Sequence, residues 1–535
     1  MLAAAVLAAQ SAPDRAKLDL IFSAFTRQSP GCAVGVSREG KVVFEAGYGL
    51  ADLERSVPIT PATVFESGSV AKQFTAAALM LLAQTGVISL DDPLRKFLPE
   101  LPDYGQPLTI RHVIHHVSGL REWRPLAQFG GFPEGTRVYS NEDLLALAAR
   151  QHTLNFPPGA NYTYSNTGFN IAAILIERAL KGKTFPEFTK EAIFDPLGMT
   201  HTRWRDNFRA LAPNRAVAYK RVAAGWELAM PIENIIGAGG MLTTVGDLLL
   251  WNDNFRHARI GGRAFVHAQH ERAVLADGRV ISYAAGLNVT THGHLREVSH
   301  GGATGGYRTW LGRYPEKALS VAVLCNAASI TPAELGRRTA DAFLGTVAGT
   351  SPQPAPSQQA VTWLPGAYRR LRDHTILRIE AQGRGLVLRR GPAGSALPVR
   401  LIPLGNGRFA LDKSTEQLLC EQARPVRCRS TADDASVWEQ AELVTPSPAT
   451  LAAYAGDYSS DETQSTMRVT VTDGVLSYAV GRYERGRLTP TFEDTFQAAD
   501  GAAFRFWRTK TGTVNALSTG SDRVWDLRFT KVHQD

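Results

Sequence analysis

A chain of 535 residues with 44% hydrophobic and 20% charged residues has the make-up of a soluble globular protein rather than a disordered or membrane one. Its length calls for two or three domains, and no apolar run is long enough to span a bilayer. The net charge of +8 comes from scattered arginines with no dense basic cluster interleaved with aromatics, so a nucleic-acid partner is not expected.

Met1 to Ala12 are almost wholly apolar and lead into Ser11-Ala12-Pro13-Asp14-Arg15, like the tail of a secretory signal peptide without its charged front. A periplasmic or secreted location is therefore expected, the alternative being an ordinary N-terminal extension. Residues 32 to 49 alternate apolar and polar around Arg38-Glu39-Gly40 and predict a β-hairpin. Ser69 to about Gln84 predicts a helix closed by Gly86 and apolar on nearly every side, hence buried. Further helices are predicted near 109–116, 142–150, 166–181 and 186–194, and Thr244 caps another, through Phe255, with Asp247 three residues on. Strands return at 306–314 and 319–325, followed by a helix over 332–344. Strands from both ends of a domain with helices inserted between them make an α+β plan over residues 13–345.

Residues 346–360, rich in Pro, Ser, Gln and Ala, have linker composition. Beyond them almost everything reads as short strands with Gly and Asp turns, in two units over 361–445 and 446–535. Gly366-Ala-Tyr368 recurs 90 residues later as Gly456-Asp-Tyr458, Leu377-Arg-Ile379 as Met467-Arg-Val469, and Leu401-Ile-Pro403 as Leu488-Thr-Pro490 at nearly that offset. Two similar small antiparallel β-barrels or sandwiches are expected.

The four cysteines lack metal-ligand spacing, and no metal or other cofactor is expected. Cys420 and Cys428 flank a turn where a hairpin disulfide forms if the compartment is oxidising, whereas Cys32 and Cys325, each in an apolar run, read as buried free thiols.

Three short motifs follow in order: Ser69-Val-Ala-Lys72, Tyr164-Ser-Asn166 and His300-Gly-Gly302. A serine at a helix start is often only a cap, but Lys72 lies one turn on, on the same face, and a lysine inside so apolar a helix is costly without a task. Burial and neighbouring charge bring its pKa toward working range, so that it can relay the serine proton. Tyr164 enters a helix from a loop, where it packs or, beside an ammonium, serves partly as phenolate and general base. Asn166 offers an amide to a substrate carbonyl and to Lys72. His300, by itself more often structural, precedes small residues that let a substrate backbone lie along a strand at Gly301 and Gly302. The N–H groups of Ser69 and Ala303 are the candidate oxyanion donors.

These motifs, with Phe65-Glu-Ser-Gly-Ser-Val-Ala-Lys-Gln-Phe74, Thr109 to Leu120, Pro158-Gly159, Pro196-Leu-Gly-Met199 and Gly237-Ala-Gly-Gly240, resemble the serine β-lactamase and penicillin-binding-protein superfamily, in its branch of class C β-lactamases, D-aminopeptidases and esterases. The resemblance covers about residues 15–345 and implies an acyl-serine mechanism with Ser69 as nucleophile and Lys72 and Tyr164 as a coupled proton-transfer pair. Where β-lactamases carry Lys-Thr-Gly, this chain has His300-Gly301-Gly302, as in D-aminopeptidases and esterases. The expected function is a serine hydrolase of a small peptide, amide or ester, with D-amino-acid peptides favoured. A promiscuous esterase or weak class C-like β-lactamase is the alternative within the class, and a non-catalytic binder of peptidoglycan fragments the alternative outside it.

Overall fold

Two apolar runs from opposite ends of the first domain, at 32–36 and 319–325, pair side by side and define its core. The computed structural model describes residues 15–345, 361–383, 385–391, 398–412, 416–431 and 436–532; the signal-like segment and the linker at 346–360 lie outside them. The first domain is built on six antiparallel strands: β1 (Cys32–Arg38), β2 (Lys41–Tyr48), β3 (Asn288–His292), β4 (Leu295–Thr304), β5 (Tyr307–Tyr314) and β6 (Leu319–Cys325), in the spatial order β3-β4-β5-β6-β1-β2.

The period of two sorts side chains to opposite faces of this sheet. Cys32, Val34, Val36, Val321 and Val323 face one core with Leu18, Phe22 and Phe343, while Ala33, Ala322 and Leu324 face the other with Phe74, Val245 and Trp251. The helices that matter for the site are α1 (Lys72–Gln84), α2 (Trp123–Phe129), α3 (Asn166–Leu180), α4 (Val245–His257) and α5 (Pro332–Leu344). Thr244 caps α4 by accepting from Asp247 N. Against the single helix expected from Ser69, Gly68–Ala71 form a 3₁₀ turn and the α-helix begins at Lys72, a common tightening of a helix start. Helix α2 was not legible in the sequence because it is short and carries Pro125 in its first turn, where proline is tolerated.

The reading of Cys32 and Cys325 as free thiols is corrected: they form a disulfide, as do Cys420 and Cys428. Cys32 stands directly opposite Cys325 across β1 and β6, with Cα atoms 4.0 Å apart, the close spacing of cross-strand neighbours. Neither run reveals by itself that the other is its neighbour.

Two closed barrels of eight antiparallel strands follow, with strands running from Gly366 to Gln440 and from Gly456 to Lys531. The internal repeat maps onto equivalent places. Gly366 pairs with Ile379 and Tyr368 with Leu377 in the first barrel; Gly456 pairs with Val469 and Tyr458 with Met467 in the second. Each of these tyrosines donates its hydroxyl to the carbonyl four residues earlier, at Leu364 and Tyr454. No helix among the described residues is long and apolar enough to cross a membrane.

Candidate active site

Ser69 lies in the 3₁₀ turn that opens α1, at the foot of a cleft of about 600 Å³ also lined by Tyr164, Asn166, His300 to Thr304 and Arg523. Close packing between this turn and β4 explains the small residues on both sides. A Cβ on Gly302 would stand 2.1 Å from Ser67 O and 3.0 Å from Ser69 N, and one on Gly68, whose φ is +49°, would stand 2.6 Å from Ala303 N. The two amide nitrogens expected to hold an oxyanion thus flank one narrow seam, in which Thr309 Oγ1 donates to Ser67 O at 2.7 Å.

Lys72 is fully buried, and its Nζ lies 3.0 Å from Ser69 Oγ, 2.7 Å from Asn166 Oδ1 and 2.8 Å from Ala238 O. Desolvation pulls its pKa well below the ordinary lysine value, outweighing the opposing pull of Glu122. A neutral amine has two hydrogens, which suit the two carbonyl-type oxygens. Its lone pair then faces the Ser69 hydroxyl.

The Tyr164 phenol lies beside the Ser69 hydroxyl, near enough to act on its charge state, and its ring lies 4.8 Å from Lys72 Nζ. The expectation of a partial phenolate is corrected in direction: desolvation raises the Tyr164 pKa above its ordinary value, although the neighbouring Ser69 hydroxyl lowers it. With the Lys72 pKa itself pulled down by burial, its ammonium is a weak support for a phenolate. His300 is likewise neutral, its pKa pulled by burial down to about 3. Its Nδ1 is 2.6 Å from Gly301 O and so carries the hydrogen, leaving Nε2 to accept from the Tyr283 hydroxyl at 2.9 Å.

Several site residues went unnoticed in the sequence. Glu122, buried before α2, accepts from Asn166 N at 2.6 Å and Asn166 Nδ2 at 2.9 Å, which turns the Asn166 oxygen toward Lys72. A carboxylate at the start of α3 also suits the positive end of that helix. His116, at φ +58°, packs its ring 4.1 Å from Tyr164 and 4.6 Å from Tyr283, and accepts from Ser165 N at 3.2 Å. From the turn between the last two strands of the second barrel, Arg523 lays its guanidinium 4.9 Å from the Tyr164 ring. That turn is clamped to the first domain: Asn155 Nδ2 donates to Arg523 O at 2.9 Å, and Trp525 N donates to Asn155 Oδ1 at 3.0 Å. All the residues singled out in the sequence, from Ser69 to Ala303, lie at this one cleft. Among the described residues no group of His, Cys, Asp and Glu could hold a metal ion.

A serine hydroxyl beside a buried amine and a phenol, with two backbone N–H groups at the same seam, suits the chemistry of a serine hydrolase. The family model described as Beta-lactamase matches residues 11–346, and the chain belongs to that family. The D-aminopeptidase of Gluconobacter oxydans (strain 621H) is 30% identical over 384 residues, 70% of this chain and 70% of the relative. A D-aminopeptidase of Cereibacter sphaeroides (strain ATCC 17029) is 28% identical over 466 residues, covering 86% and 85% of the two chains. Among solved structures, the octameric penicillin-binding protein homologue from Pyrococcus abyssi matches 86% of this chain and 96% of its own at a TM-score of 0.55 and 22% identity, a likeness of fold.

Proposed function

We propose that the protein is a periplasmic or secreted hydrolase that cleaves small peptides and amides carrying a D-amino acid on the acyl side, through an acyl-serine at Ser69. The observation that carries this reading is the buried amine of Lys72, its Nζ 3.0 Å from Ser69 Oγ and its other contacts taken by two carbonyl-type oxygens. The D-aminopeptidase relatives supply the substrate class. The two disulfides support an oxidising compartment.

In the acylation step Lys72 Nζ takes the Ser69 proton as Oγ bonds to the substrate carbonyl carbon, and the carbonyl π pair moves to oxygen, held by the N–H groups of Ser69 and Ala303. Collapse of that intermediate breaks the carbon–nitrogen bond. The departing amine takes a proton from the Tyr164 phenol, which the raised pKa keeps as an acid, and the Lys72 ammonium returns one to Tyr164. Water then attacks the ester and loses a proton to Lys72, and Ser69 leaves with a hydrogen restored. Asn166 orients Lys72, and Gly301 and Gly302 offer substrate an unobstructed strand edge. His300, neutral and with both nitrogens engaged, forms a polar wall and lacks the fixed cation that grips a β-lactam carboxylate.

The test is a panel of D-alanine p-nitroanilide, p-nitrophenyl acetate and nitrocefin, followed by intact mass. Hydrolysis of the anilide, with an acyl adduct in the wild type that is absent from Ser69→Ala, is expected. Turnover of nitrocefin alone would overturn the substrate assignment, and an adduct persisting in Ser69→Ala would overturn the nucleophile.

A further inference from the structure

Behind Ser69 a second, smaller cavity of about 40 Å³ opens from the cleft, sharing with it Ser69, Arg124, Asn166, Ala303 and Thr304. Its remaining walls include Trp123, Asn170, Glu233 and Gly239. Nothing in the acyl-transfer chemistry uses these four. Their polar atoms are also unusually idle for so buried a place. Glu233 is 8% exposed, and its carboxyl has no hydrogen-bond or ion-pair partner among the described residues. Asn170 donates Nδ2 to Ile236 O at 2.9 Å but leaves Oδ1 unpaired, and Trp123 Nε1 is unpaired as well, both in side chains 1% exposed. Buried polar atoms are normally satisfied, so such a grouping marks a place completed by something else.

We propose that this cavity is the subsite for the α-ammonium group of the acyl-donating amino acid, with Glu233 as its counter-ion and Asn170 Oδ1 as a second acceptor. The inference rests on the D-aminoacyl reading above and adds the group that recognises the free amine. Size is in keeping with it: at about 40 Å³ against about 600 Å³ for the main cleft, the cavity has room for a group as small as an ammonium. Connectivity favours it too. The amine of an aminoacyl group sits on the carbon next to the carbonyl that Ser69 attacks, and the cavity adjoins both Ser69 and Ala303. The electrostatics agree: burial pushes the Glu233 carboxyl up to about 7, against the lowering effect of Arg124 and Arg205 and with the raising effect of Glu134 and Glu66. An incoming cation would hold it ionised. With the amine fixed there and the carbonyl oxygen between two N–H groups, the side chain of only one enantiomer points to the open cleft.

The test compares kcat/KM for D-alanine p-nitroanilide, N-acetyl-D-alanine p-nitroanilide and p-nitrophenyl acetate in wild type, Glu233→Gln and Gly239→Val. The second variant leaves the carboxyl in place but fills the cavity; a Cβ at Gly239 has no neighbour nearer than 3.9 Å. The expected result is a fall on the order of 100-fold in the ratio of free-amine anilide to acetate ester for Glu233→Gln, a fall in the same direction for Gly239→Val, and loss of the preference for free over acetylated amine. An unchanged ratio in variants that melt like the wild type, or equal losses on anilide and ester, would overturn the subsite while leaving the D-aminoacyl reading intact. A wild type that hydrolyses the ester but not the free-amine anilide would remove that reading, and the subsite with it.

Discussion

In the first barrel the apolar core, on Leu364, Tyr368, Leu377, Phe409 and Trp438, closes within the barrel itself. The core of the second runs on without a break into the first domain, where Tyr458, Phe504 and Leu527 share one cluster with Trp123, Leu126, Phe129 and Leu147. The polar seams differ in the same way. Arg121, 2% exposed at its side chain, grips both oxygens of Glu462 at 2.9 Å and reaches Asp526 O at 2.6 Å, so a buried cation of the first domain is satisfied by the second barrel. The first barrel meets the second through polar contacts, Arg370 with Asp522 and His374 with Arg505. One strand plan thus occurs twice, once as a wall of the catalytic unit and once as a brace on the turn that carries Arg523. The partner each barrel packs against, and not its own topology, sets its part in the site.

The largest expected contrast is in stability. Glu462→Ala leaves Arg121 buried without its counter-ion and should lower unfolding free energy by about 3–5 kcal/mol in urea titration. Arg427→Ala in the first barrel, whose side chain is 55% exposed beside Glu439, should cost about 1 kcal/mol or less. Equal losses would erase the distinction between the barrels. Next, replacing Cys420 and Cys428 by serine opens a loop of sequence separation 8, which in the chain-entropy account costs about 2–3 kcal/mol. Hydrolysis of p-nitrophenyl acetate at 25 °C should be unaffected, and a drop in kcat would show that the first barrel takes a direct part in catalysis. Arg523→Ala should reduce kcat/KM by about tenfold through its lost contact with Tyr164, with little change in melting temperature. An Arg408→Ala control in the first barrel should not.

The smallest effect at neutral pH concerns His374. Burial first, then Arg505, lowers its pKa to about 4 from an ordinary value near 6.5, so between those values the unfolded chain binds the proton and the folded one does not. Its contribution is whole above about pH 6.5 and fades as the pH falls toward 4. The melting temperature of His374→Gln should therefore decline less steeply with acid than that of the wild type. Parallel declines would show that the seam between the barrels is indifferent to this group.

The parts of the molecule that were legible in the sequence are those written in neighbouring residues. The hairpin around Glu39, the buried helix after Ser69, the cap at Thr244 and the repeat from Tyr368 to Tyr458 all have a local period or spacing. The three motifs could be placed together because their order is itself a pattern. Residues that act across the fold left no such trace. Glu122 sits in a charged stretch that reads as surface, and its burial follows only once α3 delivers Asn166 to it. Arg523 is one arginine among many until the second barrel is docked. The Cys32–Cys325 bond was missed because strand neighbours in a sheet of order β3-β4-β5-β6-β1-β2 are decided by topology. The charge state of Tyr164 was misjudged because it depends on whether Lys72 is desolvated enough to be neutral.

The two cystine bridges join the first sulfur to the second along the chain and the third to the fourth. Under the export proposed above, each thiol meets its proper mate as the next one to emerge. Oxidation in order of appearance would then give the native connectivity directly, and maturation would make little demand on isomerases that reshuffle wrong pairs.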